Sequence, residues 1–414
     1  MDDASSPDAA DTAPRPLRLR PLPRLTPEAF DAADWGWLGR DVGAEYLADH
    51  ALVVDPDDAD ALEAAANAAY ERLVDAADLV IETKALATLG IPPALHRLIE
   101  HTWADDRHWH VLSRFDFTGG LDGTPPRLLE CNADTPTCIP ETAVVQWAQG
   151  RAAGWHEADQ MNLLFERLAE NLGRWRAKWP DLTPTLAVVY VGDAGEDAIN
   201  AHVVAEAARE AGFAFAEAVP VDRLTLSAGE GAFVPHGDGD GGWQRVDFVY
   251  KFIPWEWIAW DEPEMLRLLE GLIVGGHTAV ANPPYALVLQ SKALLADAWA
   301  LAAGPPLLRT SRTPFHDAAG TVEKVVLGRE GANVRIEDGY GRLLSRSAGD
   351  YADQMRVYQT FAPLPADADG RRYQAGVFFA HEACALGVRR GDGLILDDAA
   401  AFVPHVVDAA NTSA

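Results

Sequence analysis

Residues 185–192, TLAVVYVG, read as a buried strand. EDAINAHVVAEAAREAG follows as a helix, and FAFAEAVPV as a second strand. Strand, helix and strand in that order imply two parallel strands joined by a crossover helix. VDFVYKFIPWEWI supplies a further strand, so a small parallel sheet is expected within residues 181–285. A Gly/Asp-rich stretch, SAGEGAFVPHGDGDGGW, separates these strands and reads as a surface excursion. VGDAGEDAIN lacks G-x-G-x-x-G, which argues against the dinucleotide-binding domain of an oxidoreductase.

At 414 residues the chain exceeds one small core, so two or three sub-domains are expected. Residues 1–20 are rich in Asp, Ala, Ser and Pro and read as a disordered acidic tail. Residues 21–180 read as an N-terminal helical region followed by a hairpin. Helical patterns dominate from 27 to 105, most clearly in DADALEAAANAAYERLVDAADLVI. HWHVLSRFDFTGG and PPRLLECNAD then read as two strands joined across TGGLDGTP. From 286 to 414 the pattern changes again. LVLQSKALLADAWALAAG reads as a short strand or turn leading into a helix. EKVVLGREGANVRIED reads as strand, Gly-rich turn and strand, and RVYQTFAPLP as a strand ending in prolines. The expected class is mixed α/β.

The net charge of −29 argues against non-specific nucleic-acid binding and against an anionic membrane surface. It suits a cationic substrate, and equally a surface that is merely acidic and soluble. Three Cys (131, 138, 384) show no metal-ligand spacing, and no apolar segment has signal-peptide or membrane-spanning character. A cytoplasmic protein is expected. Only five Lys (84, 178, 251, 292, 324) stand against 29 Arg, so each retained ammonium merits attention.

Lys292 opens a helix, and Lys324 sits in a strand running into GREGANV. A Gly-rich turn lets backbone N–H groups approach an anion, and a neighbouring Lys neutralises phosphate as a point charge. The same pattern fits an ordinary hairpin turn. Arg114 and Asp116 alternate in SRFDF, and Glu130, Asn132 and Asp134 alternate in LLECNAD. Paired strands would gather Arg, Asp, Glu and Asn on one surface, an oxygen-rich set suited to Mg²⁺. A solvated hairpin face with an ordinary ion pair fits too. Lys251 and Glu256 lie in the aromatic stretch YKFIPWEWIAW, which reads mostly as core.

Together these stretches, with SKALLADAW, VYQTFAPLP and GVRRGDGLILDDAAAFVPH, make the chain resemble the glutathionylspermidine synthase-like family of ATP-grasp ligases. The resemblance runs from about 100 to 406, and ECNADTPT and LGREGAN are its most specific parts. It implies a two-lobed ATP-grasp fold with a pre-ATP-grasp-like parallel-sheet domain. It implies that Asp116, Glu130 and Asn132 bind Mg²⁺, and that Arg114 contacts the reacting phosphate. Lys292 and Lys324 would hold the ATP phosphates under the turn formed by Gly328, Arg329 and Gly331. Gln359 and the hinge beyond it would contact adenine. Arg389 matches a late family Arg at the acyl-phosphate, with Arg390 one residue away as the alternative register. Asp134 is expected to shape the turn into the next helix rather than to bind metal.

Two positions depart from the family pattern. Val325 replaces the usual Pro after the second Lys, and Gln290-Ser291 stands for the usual Ser-Asn. No Cys/His amidase segment precedes the motifs, so synthesis without hydrolysis of the product is expected. The implied activity is ATP-dependent joining of a peptide or glutathione-type carboxylate to a polyamine or other amine. The alternative is a nucleotide-binding scaffold that keeps the fold without the chemistry.

Overall fold

Ser113–Thr118 and Arg127–Asn132 pair antiparallel as expected, with Asp116 opposite Glu130 and Arg114 opposite Asn132. Gly119 and Gly120 take positive φ in the connection, where a side chain would be strained. Phe115, Phe117 and Leu128 point into the core, so alternation turns Arg114 and Asp116 to the other face. The hairpin ends a five-stranded antiparallel sheet whose order continues through Arg372–Phe379, Ala383–Gly391 and Ala401–Val403. The structure, a computed structural model, describes residues 13–23, 25, 46–156, 159–192, 195–236 and 242–408.

The expected parallel sheet has four strands, in the order Ala279–Ala281, Phe248–Lys251, Thr185–Tyr190 and Phe215–Pro220. The crossover helix Gly195–Glu210 buries Val203, Val204, Ala207 and Ala208. A second five-stranded antiparallel sheet runs Thr310–Ser311, Arg356–Thr360, Thr321–Val325, Arg335–Glu337 and Leu343–Arg346. It carries Lys324 and Gln359, so the site draws on two separate antiparallel sheets. Helix Pro56–Glu82 starts with Pro at its first turn and with Asp57 and Asp58 near the positive end of its dipole. Its stripe of Leu62, Ala66, Ala69, Leu73, Ala76 and Val80 packs against helix Leu294–Leu301 and strands Arg372–Phe379 and Ala383–Gly391.

Four expectations change. The expected tail covers residues 1–20, of which 1–12 lie outside the described residues; Arg18–Pro21 forms a strand against His50–Val54. His50–Val54 itself interrupts the region read as helical. It is fully buried between that strand and His405–Val407, and this long-range pairing overrides the local helical signal. The excursion after residue 224 is largely a small antiparallel sheet of Thr225–Ser227, Gly231–Pro235 and Trp243–Val246. Ala232 and Val234 alternate inward there, which anchors it; residues 237–241 lie outside the described residues. The stretch before Lys292, read as strand or turn, is a short helix, Ala286–Gln290, with every residue buried. An apolar run of that length does not distinguish strand from helix by pattern.

Candidate active site

All eleven residues singled out in the sequence line one cavity of about 280 Å³. Its first wall is the hairpin. Arg114 forks onto Asp116, with Nε 2.7 Å from Oδ1 and Nη2 3.0 Å from Oδ2. Its Nη1 donates to the Thr137 carbonyl at 2.8 Å. Asn132 Nδ2 donates to Asp116 Oδ2 at 3.0 Å, which leaves the amide oxygen as an acceptor. Gly376 sits opposite Asp116 on the next strand, and a Cβ there would lie 3.0 Å from Arg114 Cδ. The glycine lets the arginine lie flat. Burial alone would weaken the guanidinium's hold on its proton, but Asp116 outweighs it and the pKa is raised.

The second wall brings the cations. Lys292 Nζ lies 3.1 Å from Glu130 Oε2 and donates to the Gly328 carbonyl at 2.6 Å. Lys324 Nζ donates to the Leu129 carbonyl at 3.0 Å and to Gln359 Oε1 at 2.9 Å. Burial pushes the Glu130 carboxyl up, but Lys292, Lys324 and Arg114 outweigh it and leave it below the ordinary range. Burial also pushes Lys324 down, and Lys292 adds to this against the pull of Glu130, leaving it at about 8.

The turn after Thr321–Val325 roofs the cavity. Gly331 has φ +67°, and a Cβ on it would collide with the Leu396 carbonyl. Arg329 reaches inward from this turn to Glu256, with Nη1 2.6 Å from Oε1. Arg389, not Arg390, lines the cavity, and its Nη2 donates to the Asp397 carbonyl at 2.7 Å.

Gln359 lines the cavity, but its amide is committed to Lys324 and, through Nε2, to the Leu128 carbonyl at 3.2 Å. Its side chain therefore orients a lysine. Thr360 and Phe361 N–H groups are also used, by the Arg309 and Gly320 carbonyls. Val322, Val325, Ile336 and Leu364 make an apolar wall at this end of the cavity.

Asp134 does not cap the following helix. Its Oδ1 meets Lys251 Nζ at 2.6 Å and its Oδ2 accepts the Trp255 N–H at 2.8 Å. Both side chains are buried and neither lines the cavity, so the retained Lys251 is a structural cation. Sequence reasoning missed Asp197 and Glu330 on the cavity wall. Burial, with Glu196 and Glu330 nearby, pushes Asp197 up to about 6. An acid opening an amphipathic helix is common, so nothing local marked it. Glu256 was visible as the one acid in an aromatic stretch, and it is fully buried.

A family model described as glutathionylspermidine synthase pre-ATP-grasp matches residues 23–408. The chain is 30% identical over 321 residues to a Haemophilus influenzae protein named as an acid–amine ligase, covering 75% of this chain and 77% of that one. It is 25% identical over 340 residues to the bifunctional glutathionylspermidine synthetase/amidase of Escherichia coli, and spans 52% of that protein. Among solved structures, a glutathione synthetase-like effector of Globodera pallida in its apo form matches with a TM-score of 0.55 at 10% identity. That match covers 93% of this chain and 98% of the effector, and shows a shared fold.

Proposed function

Since the chain belongs to the glutathionylspermidine synthase pre-ATP-grasp family, we propose that it is an ATP-dependent carboxylate–amine ligase. The observation that carries this reading is the convergence of Arg114, Arg389, Lys292 and Lys324 with Asp116, Glu130 and Asn132 on one cavity. Four cations suit a triphosphate and a carboxylate. No side-chain nucleophile is required, because the phosphoryl group passes directly to the substrate carboxylate and the amine then displaces phosphate from the acyl-phosphate. The chain's work is positioning and charge stabilisation.

Lys292 and Lys324 neutralise the phosphates beneath the Gly328–Gly331 turn. Arg114 has its fork held by Asp116, so it meets developing negative charge without first reorganising. Arg389 pairs with Gln374 on the neighbouring strand and lines the same cavity, where it would meet the acyl-phosphate. Two carboxylates and an amide oxygen fit a hard divalent cation, so Asp116, Glu130 and Asn132 would hold Mg²⁺. Bound there, Mg²⁺ supplies charge neutralisation on phosphate oxygens. The apolar wall at Val322, Val325, Ile336 and Leu364 suits an adenine ring. Asp197 and Glu330 supply negative charge for a cationic amine, and a polyamine is the finer reading.

The test is phosphate release from ATP with carboxylates (glutathione and short peptides) crossed against amines (spermidine, other diamines and amino acids). Release that needs both partners, with amide product by mass spectrometry, supports the ligase. Mg-ATP binding without turnover across the whole panel overturns it in favour of a nucleotide-binding scaffold. No helix among the described residues is long and apolar enough to cross a membrane.

A further inference from the structure

Glu256 is a fully buried carboxylate whose ion pair among the described residues is with Arg329 of the Gly-rich turn. The contact is an ion pair at 2.6 Å rather than an aligned hydrogen bond, and Glu256 Oε2 has no hydrogen-bond partner among the described residues. Burying a carboxylate for one partner is a poor route to stability, because desolvation roughly cancels the attraction. Geometry explains the pair better. Glu256 is the second residue of helix Trp255–Asp261, whose start is itself clamped: Lys251 Nζ bonds Asp134 and the Ile253 carbonyl, and Trp255 N–H bonds the other Asp134 oxygen. Asp134 closes the strand that carries Glu130 and Asn132. Asp134, Lys251, Glu256 and Arg329 thus form a buried row of alternating charge from the hairpin to the turn over the cavity.

The row determines what Arg329 can do. Its Nη1 is taken by Glu256, and its guanidinium lies 5.4 Å from the centre of the Trp257 ring. Its Nη2 is buried, has no hydrogen-bond partner among the described residues, and belongs to a residue on the cavity wall. The adjoining Gly328 carbonyl is held by Lys292, the lysine beside Glu130. The turn is thereby tied to Lys292 and Glu130, the residues proposed to meet phosphate and metal.

We infer that Glu256 is a positioning residue, which aims Arg329 Nη2 at the terminal phosphate and so lets the site favour ATP over ADP. This rests on the proposed nucleotide site. The experiment measures Mg-ATP and Mg-ADP affinities by titration calorimetry for the full-length protein, Glu256→Gln, Glu256→Asp and Arg329→Lys, with melting temperature recorded for each. Glu256→Gln keeps shape and loses charge; Glu256→Asp keeps charge and shortens the reach. The expected result is a fall of at least about tenfold in the ATP-to-ADP affinity ratio in all three, with ADP affinity nearly unchanged. Arg329→Lys is the arm that guards against failure to fold, because it keeps a cation beside the buried Glu256. A wild-type ratio in a folded Glu256→Asp and a folded Arg329→Lys would overturn the inference while leaving the ATP site standing. Wild-type protein that binds neither nucleotide would instead overturn the site itself.

Discussion

Lys292 Nζ stands 3.1 Å from Glu130 Oε2, so the cation proposed for phosphate and the carboxylate proposed for metal neutralise one another. Removing the carboxylate has opposite effects on two measurements. Glu130→Gln should cut Mg-ATP turnover by about 100-fold or more, since a metal-facing oxygen is lost. Metal-free ATP, measured by calorimetry in EDTA, should bind the variant at least as tightly as wild type, because Lys292 is released and a repelling charge is gone. Weaker metal-free binding would contradict the pairing.

Lys324 sits at about 8 because it is buried beside a second lysine, and an anion restores its proton. Phosphate binding favours the charged form, so nucleotide binding above pH 8 should take up a proton. Calorimetry in buffers of different ionisation heat reads that uptake directly. Affinity should fall as pH rises from 8 to 9.5. Lys324→Arg, permanently charged, should flatten the profile even if its absolute affinity is lower.

Glu141 offers a stability measurement. Burial pushes its carboxyl up to about 7, and its Oε2 has no hydrogen-bond partner among the described residues. The folded state therefore binds more protons than the unfolded state between about pH 4.5 and 7, so stability falls as pH rises through that window. Glu141→Gln should be more stable than wild type at pH 8, by up to about 3 kcal/mol, and the difference should close towards pH 5. Denaturant melts at the two pH values check it; a constant difference would refute it.

Arg114→Lys tests whether the fork or only the charge matters. A lysine cannot make both Asp116 contacts and the Thr137 contact at once. The expected loss is about 10²–10³ in kcat with a small change in KM for ATP, measured by phosphate release. A selective rise in KM would place Arg114 in ground-state binding instead.

The hairpin was legible because its information is local. Alternation alone puts Arg114 with Asp116 and Glu130 with Asn132, and the glycines between them signal the return. The Gly328–Gly331 turn was legible for the same reason. What stayed hidden depends on distant partners. Asp134 pairs with Lys251, 117 positions away, so its local setting suggested a helix cap that it does not make. Gln359, expected at adenine, bonds through its amide to Lys324 and the Leu128 carbonyl, 35 and 231 positions away. His50–Val54 read as part of a helical region because the strands that bury it lie far away in both directions.

The strand bearing Arg114 and Asp116 takes its inner neighbour from Arg372–Phe379, pairing Asp116 with a residue about 260 positions later. At roughly 5–20 residues per second, a ribosome needs tens of seconds to cover that interval. Throughout it, the hairpin has its inner edge unpaired, and Phe115 and Phe117 lack the strand that covers them. The parallel sheet, whose strands all fall within residues 185–281, can assemble as it emerges. The phosphate-handling half of the molecule thus waits on a strand made about 260 residues later, and during that wait the nascent chain is the form most exposed to chaperones and to aggregation.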